Sequence, residues 1–207
     1  LENENWILTG KKVEVKTVYT YLGVEFHSDL DLKKSSDARL VVGRKVVSGI
    51  RHFLRCWNIP MHTRVMVMKA CVLPILLYGA ELWGLNVSLT RRHETLINTA
   101  IKWILGTSGR GVSSLCMRRE IDFTGVAASA AARRTSAFIR WDKKRTWITD
   151  LIQTPMTHRK ATWVSSTTRW IKKYGQESRW ASEAFVSDAS PMRHIGEVTE
   201  AHLYGES

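Results

Sequence analysis

The sequence predicts a mainly α-helical fold, in which a thumb-like bundle of helices follows a short antiparallel β-hairpin or meander. Apolar residues recur at helical spacing over most of residues 32–145, whereas β-prone runs are confined to the first 28 residues. The hydrophobic fraction of 44% indicates a folded chain and not a disordered one. With 207 residues, the chain is long enough for one medium domain or two small ones.

The β-prone runs lie at the N-terminus. Residues 6–8 and 13–15 flank the turn-forming residues 9–12, a pattern that predicts a hairpin. A third strand is predicted over residues 17–26. Three short strands cannot form a large sheet, so we expect them either to join strands upstream of residue 1 or to cap the helices that follow.

The first predicted helix covers residues 32–57. Asp29 and Asp31 precede it and are interpreted as residues that cap its N-terminus. Gly43 and Gly49 weaken this helix locally and allow another segment to approach it closely. Its apolar stripe consists of Leu40, Val47, Ile50, Leu54 and Trp57.

Two further helices are predicted in the middle of the chain. The helix over residues 61–84 is apolar on nearly all sides, which predicts a central, buried position, and Pro74 is expected to kink or break it. The helix over residues 89–105 ends at Gly106, a natural C-terminal cap. His93 lies on the apolar side of that helix and is expected to be a core residue.

The C-terminal half of the sequence is less regular. The loop over residues 107–114 is the expected internal boundary, and residues 126–145 predict a fourth helix with an alanine-rich packing side. The predicted divisions are the N-terminal strands (1–28), a helical bundle (29–106), a second helical region (107–154) and a basic, tryptophan-containing tail (155–207). The tail becomes polar from residue 187 onward and is expected to be partly disordered.

The charge of the chain is strongly positive. It has 31 Lys and Arg against 19 Asp and Glu, which gives a formal net charge of +12 and a pI near 9.9. Such an excess indicates a polyanionic partner, nucleic acid or an anionic membrane surface, and we favour nucleic acid. No apolar run approaches the roughly 20 residues of a membrane span, and no signal peptide is recognisable. We therefore expect an intracellular protein, nuclear or cytoplasmic, that is not secreted and has no membrane partner.

No residue pattern predicts catalysis by this chain. Asp29-x-Asp31 is the closest approach to a carboxylate cluster, and helix capping explains it better than metal binding does. No nucleophile motif or phosphate-binding glycine loop is present. Cys56, Cys71 and Cys116 lack the spacing of a zinc site and are expected to be buried free thiols in a reducing compartment. We assign no catalytic, cofactor or metal-binding residues.

Basic helix faces remain as the candidate binding surface, because Lys and Arg neutralise phosphates. One such face lies opposite the apolar stripe of the first helix, and another lies along the fourth helix. The alternative is that these charges form only a solvated face, and that the nine tryptophans mostly pack in the core. The candidate residues are Lys34, Arg44, Lys45, His52 and Arg55 on the first helix, and Arg133, Arg140 and Lys144 on the fourth.

Several short motifs resemble one family of proteins. Three runs occur in the order Trp6-Ile7-Leu8-Thr9-Gly10, Val13-Glu14-Val15 and Tyr19-Thr20-Tyr21-Leu22-Gly23-Val24. This order is similar to the segment after the catalytic core of non-LTR (LINE-type) retrotransposon reverse transcriptases. A second similarity lies in the run Leu73-Pro74-Ile75-Leu76-Leu77-Tyr78-Gly79-Ala80-Glu81-Leu82-Trp83. This run resembles the leu-pro-x-leu-leu-tyr-gly-x-glu-x-trp block of the thumb in that family. A third similarity, to the helical region that follows the thumb block, lies in Met117-Arg118-Arg119-Glu120-Ile121 and Ala131-Ala132-Arg133-Arg134. The resemblance therefore covers roughly residues 6–145.

The resemblance implies a role for each part. Tyr21, Leu22 and Gly23 would belong to the primer grip, and the first helix would lie along an RNA–DNA template–primer duplex. The aspartates that hold Mg²⁺ in the polymerase are absent, so they and the palm domain that carries them are expected upstream. The family usually has a Trp and a His early in the first thumb helix, where this sequence has Leu32 and Ser36.

The resemblance therefore implies a thumb and post-thumb fragment that binds nucleic acid and does not polymerise DNA alone. Two alternatives stay open. One is a non-catalytic helical domain for protein interaction, whose charge is incidental. The other is a domesticated RNA-binding module that is expressed without the polymerase core.

Overall fold

Helices dominate the structure, and two short antiparallel hairpins precede them, which confirms the predicted fold class. The structure is a computed structural model, and it describes residues 7–13, 16–29, 31–154 and 162–174. The described strands are β1 (Ile7–Leu8), β2 (Lys11–Lys12), β3 (Val18–Tyr21) and β4 (Val24–His27). The described helices are α1 (Leu32–Gly49), α2 (Arg51–Arg55), α3 (Met61–Cys71), α4 (Leu73–Leu76), α5 (Ala80–Trp83), α6 (Val87–Leu105), α7 (Ser114–Glu120), α8 (Val126–Asp142), α9 (Trp147–Gln153) and α10 (Trp163–Tyr174).

The first hairpin differs in register from its prediction. β1 pairs with β2 across the turn Thr9–Gly10, so the second strand begins at Lys11, inside the predicted turn. Thr9 has φ 51° and Gly10 has φ 77°, the two positive values that a tight two-residue hairpin turn needs. The predicted strand residues Trp6, Glu14 and Val15 lie outside the described residues.

The prediction of a single strand over residues 17–26 is wrong, because the chain reverses at Leu22–Gly23. β3 and β4 pair antiparallel, with Tyr21 opposite Val24 and Val18 opposite His27. Leu22 has φ 47° and Gly23 has φ 77°, so this turn has the same geometry as the first one. Leucine rarely adopts a positive φ, which is why the segment is mistaken for an uninterrupted strand.

The predicted first helix is divided at Ile50 into α1 and α2. Asp31 caps α1 as predicted, because its side chain accepts a hydrogen bond of 2.9 Å from the backbone N–H of Lys33. Leu40, Val47 and Leu54 are buried, but Trp57 is 70% exposed, so the last member of the predicted stripe is wrong.

Trp57 leaves the stripe because α2 ends at Arg55. Cys56 is extended, with φ −76° and ψ 109°, and carries residue 57 away from the helix axis. At the other end of α1, the predicted close approach holds for Gly43, where a Cβ would overlap the side chain of Leu76 on α4. It does not hold for Gly49, which faces open space.

The second predicted helix consists of three short ones. The break falls at Val72, directly before α4, and Pro74 occupies the first turn of α4, where a proline costs no hydrogen bond. The predicted burial on nearly all sides is wrong, because Met66 is 60% exposed and Cys71 lies on the surface. Cys116 is also exposed, so the prediction of buried thiols fails, although all three cysteines are free.

The core lies between α1, α3, α5, α6 and α8. On α6, the buried positions follow helical spacing and include Ile97, Ala100, Ile101 and Ile104, and Gly106 ends the helix with φ 66°, as predicted. The alanine-rich side of α8 also packs as predicted. A Cβ at Gly84, directly after α5, would overlap the backbone oxygen of Ala130.

The core cluster contains residues from both sides of the loop over residues 107–113. Leu40 and Val47 on α1 share it with Met117 on α7 and with Val126 and Ala130 on α8. The proposed division of the chain at residue 107 stays a prediction. In the predicted tail, α10 is a helix, whereas the polar segment from residue 187 lies outside the described residues.

Candidate nucleic-acid interface

The candidate site lies on a segment that carries no negative side chain. Between residues 38 and 80 the sequence contains no Asp or Glu. The same segment includes most of α1 and all of α2, α3 and α4. Its cations are Arg39, Arg44, Lys45, Arg51, Arg55, Arg64 and Lys69.

Three of these cations are engaged within the protein. Arg64 is 3% exposed and donates hydrogen bonds to the backbone oxygens of Ile59, Leu54 and Ile104, at 2.8 to 3.0 Å. The guanidinium of Arg39 lies 4.7 Å from the ring centre of Tyr78. Lys69 donates to the backbone oxygen of Asp122 at 2.5 Å. These three side chains support the fold and are buried or half-buried, so they are poor candidates for binding a phosphate.

The remaining four cations are exposed. Arg44 and Lys45 lie on α1, and Arg51 and Arg55 lie on α2. Hydrogen bonds from the Ile50 N–H to Val46 and from the Leu54 N–H to Ile50, both 3.0 Å, carry the helical repeat across the junction. Arg44, Arg51 and Arg55, at i, i+7 and i+11, therefore lie on one side of the α1–α2 unit. We call these residues, with Lys45 and the exposed His52, the α1–α2 face.

No ion pair neutralises the α1–α2 face within the part of the chain that the structure describes. Lys34, which was also predicted as a binding residue on the first helix, differs from these residues because it has a counter-charge. Its Nζ lies 2.5 Å from a carboxylate oxygen of Asp29. The hydrogen bond between them raises the pKa of Lys34 and lowers the pKa of Asp29. Because Asp29 already compensates its charge, Lys34 is the weakest of the predicted phosphate ligands.

The predicted residues of the fourth helix form a separate basic group. Arg133 is half-buried, whereas Arg140 and Lys144 are exposed near the C-terminal end of α8. Lys143 and Arg145 lie beside them, where cations complement the helix dipole. Both α1 and α8 pack against α5 and α6. The idea that the two groups form one continuous surface stays a prediction.

Arg134, the neighbour of Arg133, has a structural role that the sequence pattern did not reveal. It is 5% exposed and donates hydrogen bonds to the backbone oxygens of Leu82 and Trp163 and to the hydroxyls of Ser166 and Thr167, at 2.6 to 3.0 Å. Burial lowers its pKa to about 10. Arg118 is also buried, and its guanidinium donates to Glu94 at 2.6 Å.

Tyr21, Leu22 and Gly23 form the tip of the second hairpin. Leu22 is 74% exposed, and its backbone oxygen accepts a hydrogen bond from the hydroxyl of Tyr78. The other side of the tip contacts the same segment, because Val24 packs against Gly79. The Tyr-Leu-Gly motif and the Leu-Pro-x-Leu-Leu-Tyr-Gly motif are thus in direct contact.

Arg51 and Trp57 were missed as site residues. The guanidinium of Arg51 lies 5.1 Å from the ring centre of Trp103, and the ring of Trp57 lies at the surface next to the α1–α2 face. The spacing of Arg51 from Arg44, seven residues, could have identified it. Trp57 gave no such signal, because its spacing also fits the apolar stripe.

Among residues 7–13, 16–29, 31–154 and 162–174, no group of three or more His, Cys, Asp or Glu could hold a metal ion. His93 is fully buried as predicted, stacks on Trp83 at 5.2 Å and lies within 3.1 Å of the backbone oxygen of Leu89. Burial lowers the pKa of His93. Among the described helices, none is long and apolar enough to cross a membrane.

Comparisons with protein-family models, with curated proteins and with solved structures give no match to this chain. The likeness to retrotransposon reverse transcriptases therefore rests on the motif residues alone.

Proposed function

We propose that this chain is the thumb and post-thumb part of a LINE-type reverse transcriptase and that its α1–α2 face binds an RNA–DNA template–primer duplex. The observation that carries the proposal is the exposed charge of Arg44, Lys45, Arg51 and Arg55, which no described carboxylate neutralises, on a segment without any acidic residue. The contact between Tyr78 and Leu22 supports it further, because it joins the two motifs on which the family resemblance depends.

Binding by this face is sequence-independent. Contacts between cations and phosphates hold a duplex without reading its sequence, and the deep, narrow major groove of an A-form duplex keeps side chains from the base edges. Four contacts, at about 0.9 for each phosphate neutralised, would give log affinity a slope of about −3.6 against log salt. The catalytic carboxylates and their Mg²⁺ belong to the polymerase palm, which this proposal places in a segment upstream. The site of action is intracellular, nuclear or cytoplasmic, where the template and primer are found.

The test reverses charge on the α1–α2 face. The double variant Lys45→Glu with Arg55→Glu is titrated with a labelled RNA–DNA hybrid over a range of salt concentrations. We expect affinity to fall at least tenfold and the salt slope to become shallower by about 2. Lys11→Glu with Lys12→Glu is the matched control, because it makes the same change of charge on β2, outside the face.

Three results contradict the proposal. These are an absence of binding by the unaltered chain at low salt, an unchanged salt slope in the α1–α2 variant, or an equal loss in the β2 control. Circular dichroism of both variants checks that they fold, which is expected because all four side chains are exposed.

A protein-interaction domain is the second candidate, and α9 favours it. Trp147 and Leu151 lie one turn apart on that helix and are 70% and 53% exposed. An exposed apolar pair of this kind can dock against a partner protein. Trp147→Ser with Leu151→Ser should leave hybrid binding unchanged if the proposed function is right. A protein-interaction role predicts instead that hybrid binding is absent from the start.

A further inference from the structure

The side chain of Trp57 is held in place although most of it faces solvent. It is 70% exposed, but the six-membered part of the indole packs against Gly106, at the C-terminal cap of α6. A Cβ at residue 106 would overlap the ring. The contact therefore depends on a glycine, which the positive φ of 66° also favours.

One face of the indole is backed by a buried cation. The guanidinium carbon of Arg64 lies over the ring, 5.4 Å from its centre. Arg64 is itself fixed by hydrogen bonds to three backbone oxygens, so the ring rests on a rigid support. Because 70% of the residue is exposed, much of the ring surface is open to solvent. A flat, oriented, open aromatic face is the geometry that stacks on a nucleobase.

The surroundings of Trp57 are positively charged. Arg51 contacts Trp103 in the last turn of α6, and Trp57 contacts Gly106, which caps that helix, so the two contacts lie three residues apart in the chain. Three residues span about 4.5 Å along a helix axis. Arg55 lies one turn beyond Arg51 on α2 and is also exposed. Trp57 thus closely follows a helix that carries two exposed cations, and its own segment carries no carboxylate.

We propose that Trp57 is a stacking platform for an unpaired base of the bound nucleic acid, whose phosphates meet Arg51 and Arg55. This inference rests on the proposed function, and it extends the bound ligand from a duplex to the single strand that continues from it. Charge complementarity selects this occupant, because an apolar protein surface would leave both arginines without a partner.

The experiment uses the full chain with two labelled probes, a single-stranded RNA of about 12 nucleotides and a blunt RNA–DNA hybrid of equal length. The single strand has unpaired bases that can stack on Trp57, whereas the blunt hybrid has none. Trp57→Leu keeps an apolar side chain against Gly106 but has no aromatic face. Trp57→Phe keeps a smaller aromatic face. Trp147→Leu is the matched control, because Trp147 is equally exposed on α9.

Trp57→Leu should weaken binding of the single strand about 5- to 150-fold, as expected for the loss of one stacked base. Its salt slope should stay unchanged, because no charge is removed. Trp57→Phe should retain most of the affinity, and binding of the blunt hybrid should change little in either variant. Trp147→Leu should bind both probes like the unaltered chain.

Single-strand affinity that is unchanged in Trp57→Leu overturns the stacking role, and so does an equal loss for the blunt hybrid. In either case a normal salt slope would still support the proposed function. If neither probe binds the unaltered chain at low salt, both the stacking role and the proposed function are wrong.

Discussion

Replacement of Glu94 tests how one buried carboxylate joins three helices. Glu94 lies on α6 and is 8% exposed. One of its oxygens accepts a hydrogen bond of 2.6 Å from Arg118 on α7, and the other accepts one of 2.8 Å from the backbone N–H of Ala127 on α8. Ala127 is in the first turn of α8, and Gly125, the capping residue, has no side chain to bind that N–H. Glu94 therefore both neutralises Arg118 and caps α8 from a neighbouring helix.

These two roles can be separated by two substitutions. Glu94→Gln keeps an oxygen for the N–H of Ala127 but removes the counter-charge of Arg118, which is 1% exposed. Breaking a buried ion pair in this way costs about 3–5 kcal/mol of the free energy of unfolding. Glu94→Ala also removes the cap, which adds about 1 kcal/mol. Since small domains unfold at about 5–15 kcal/mol, both losses are large fractions of the total stability.

Urea unfolding followed by far-UV circular dichroism measures these losses. Glu120→Gln on α7 is the matched control, because Glu120 is exposed and its loss should change the free energy of unfolding by less than about 0.5 kcal/mol. The assigned roles are refuted if Glu94→Gln destabilises the chain no more than Glu120→Gln does. Equal losses for Glu94→Gln and Glu94→Ala would refute the capping role alone.

Two other residues yield predictions about stability. Leu22 has φ 47° and is 74% exposed. Because Asn tolerates a positive φ better than Leu does, Leu22→Asn should raise the free energy of unfolding in urea by up to about 1 kcal/mol. A lower free energy of unfolding would contradict this prediction. Burial lowers the pKa of His93, so the unfolded chain binds a proton there before the folded chain does. Stability should therefore fall as pH drops below about 6.5, by at most about 1.4 kcal/mol per pH unit from this group. His93→Phe should remove that part of the slope, and an unaltered slope would show that His93 is not its source.

Most of the fold prediction was based on helical periodicity. The spacing of apolar residues located the beginnings of α1, α6 and α8 to within two residues, because these helices bury apolar residues at helical spacing. Gly43 and Gly106 were also identified, since close packing and a positive φ are requirements that glycine meets and other residues rarely do. Periodicity could not reveal the ends of short helices, and the position of Trp57 depends on the end of α2.

The candidate site was less predictable because charge on a helix does not show where the charge is used. Arg133 and Arg134 are neighbours with the same chemistry, yet one is half-buried and the other is almost fully enclosed. The partners of Arg134 lie 29 to 52 residues away in the chain, so no local pattern identifies them. Arg64 is hidden in the same way, because its acceptors are backbone oxygens, which every residue possesses.

The contacts of α10 have a consequence for the order in which the chain folds. Trp163 donates a hydrogen bond of 2.8 Å from its indole N–H to the backbone oxygen of Glu81, 82 residues earlier. Arg134 reaches Leu82 on one side and α10 on the other. Synthesis proceeds from the N-terminus, so α5 and α8 leave the ribosome well before the helix that completes their hydrogen bonds. Their packing can therefore reach its final form only after residues 163–167 have been made.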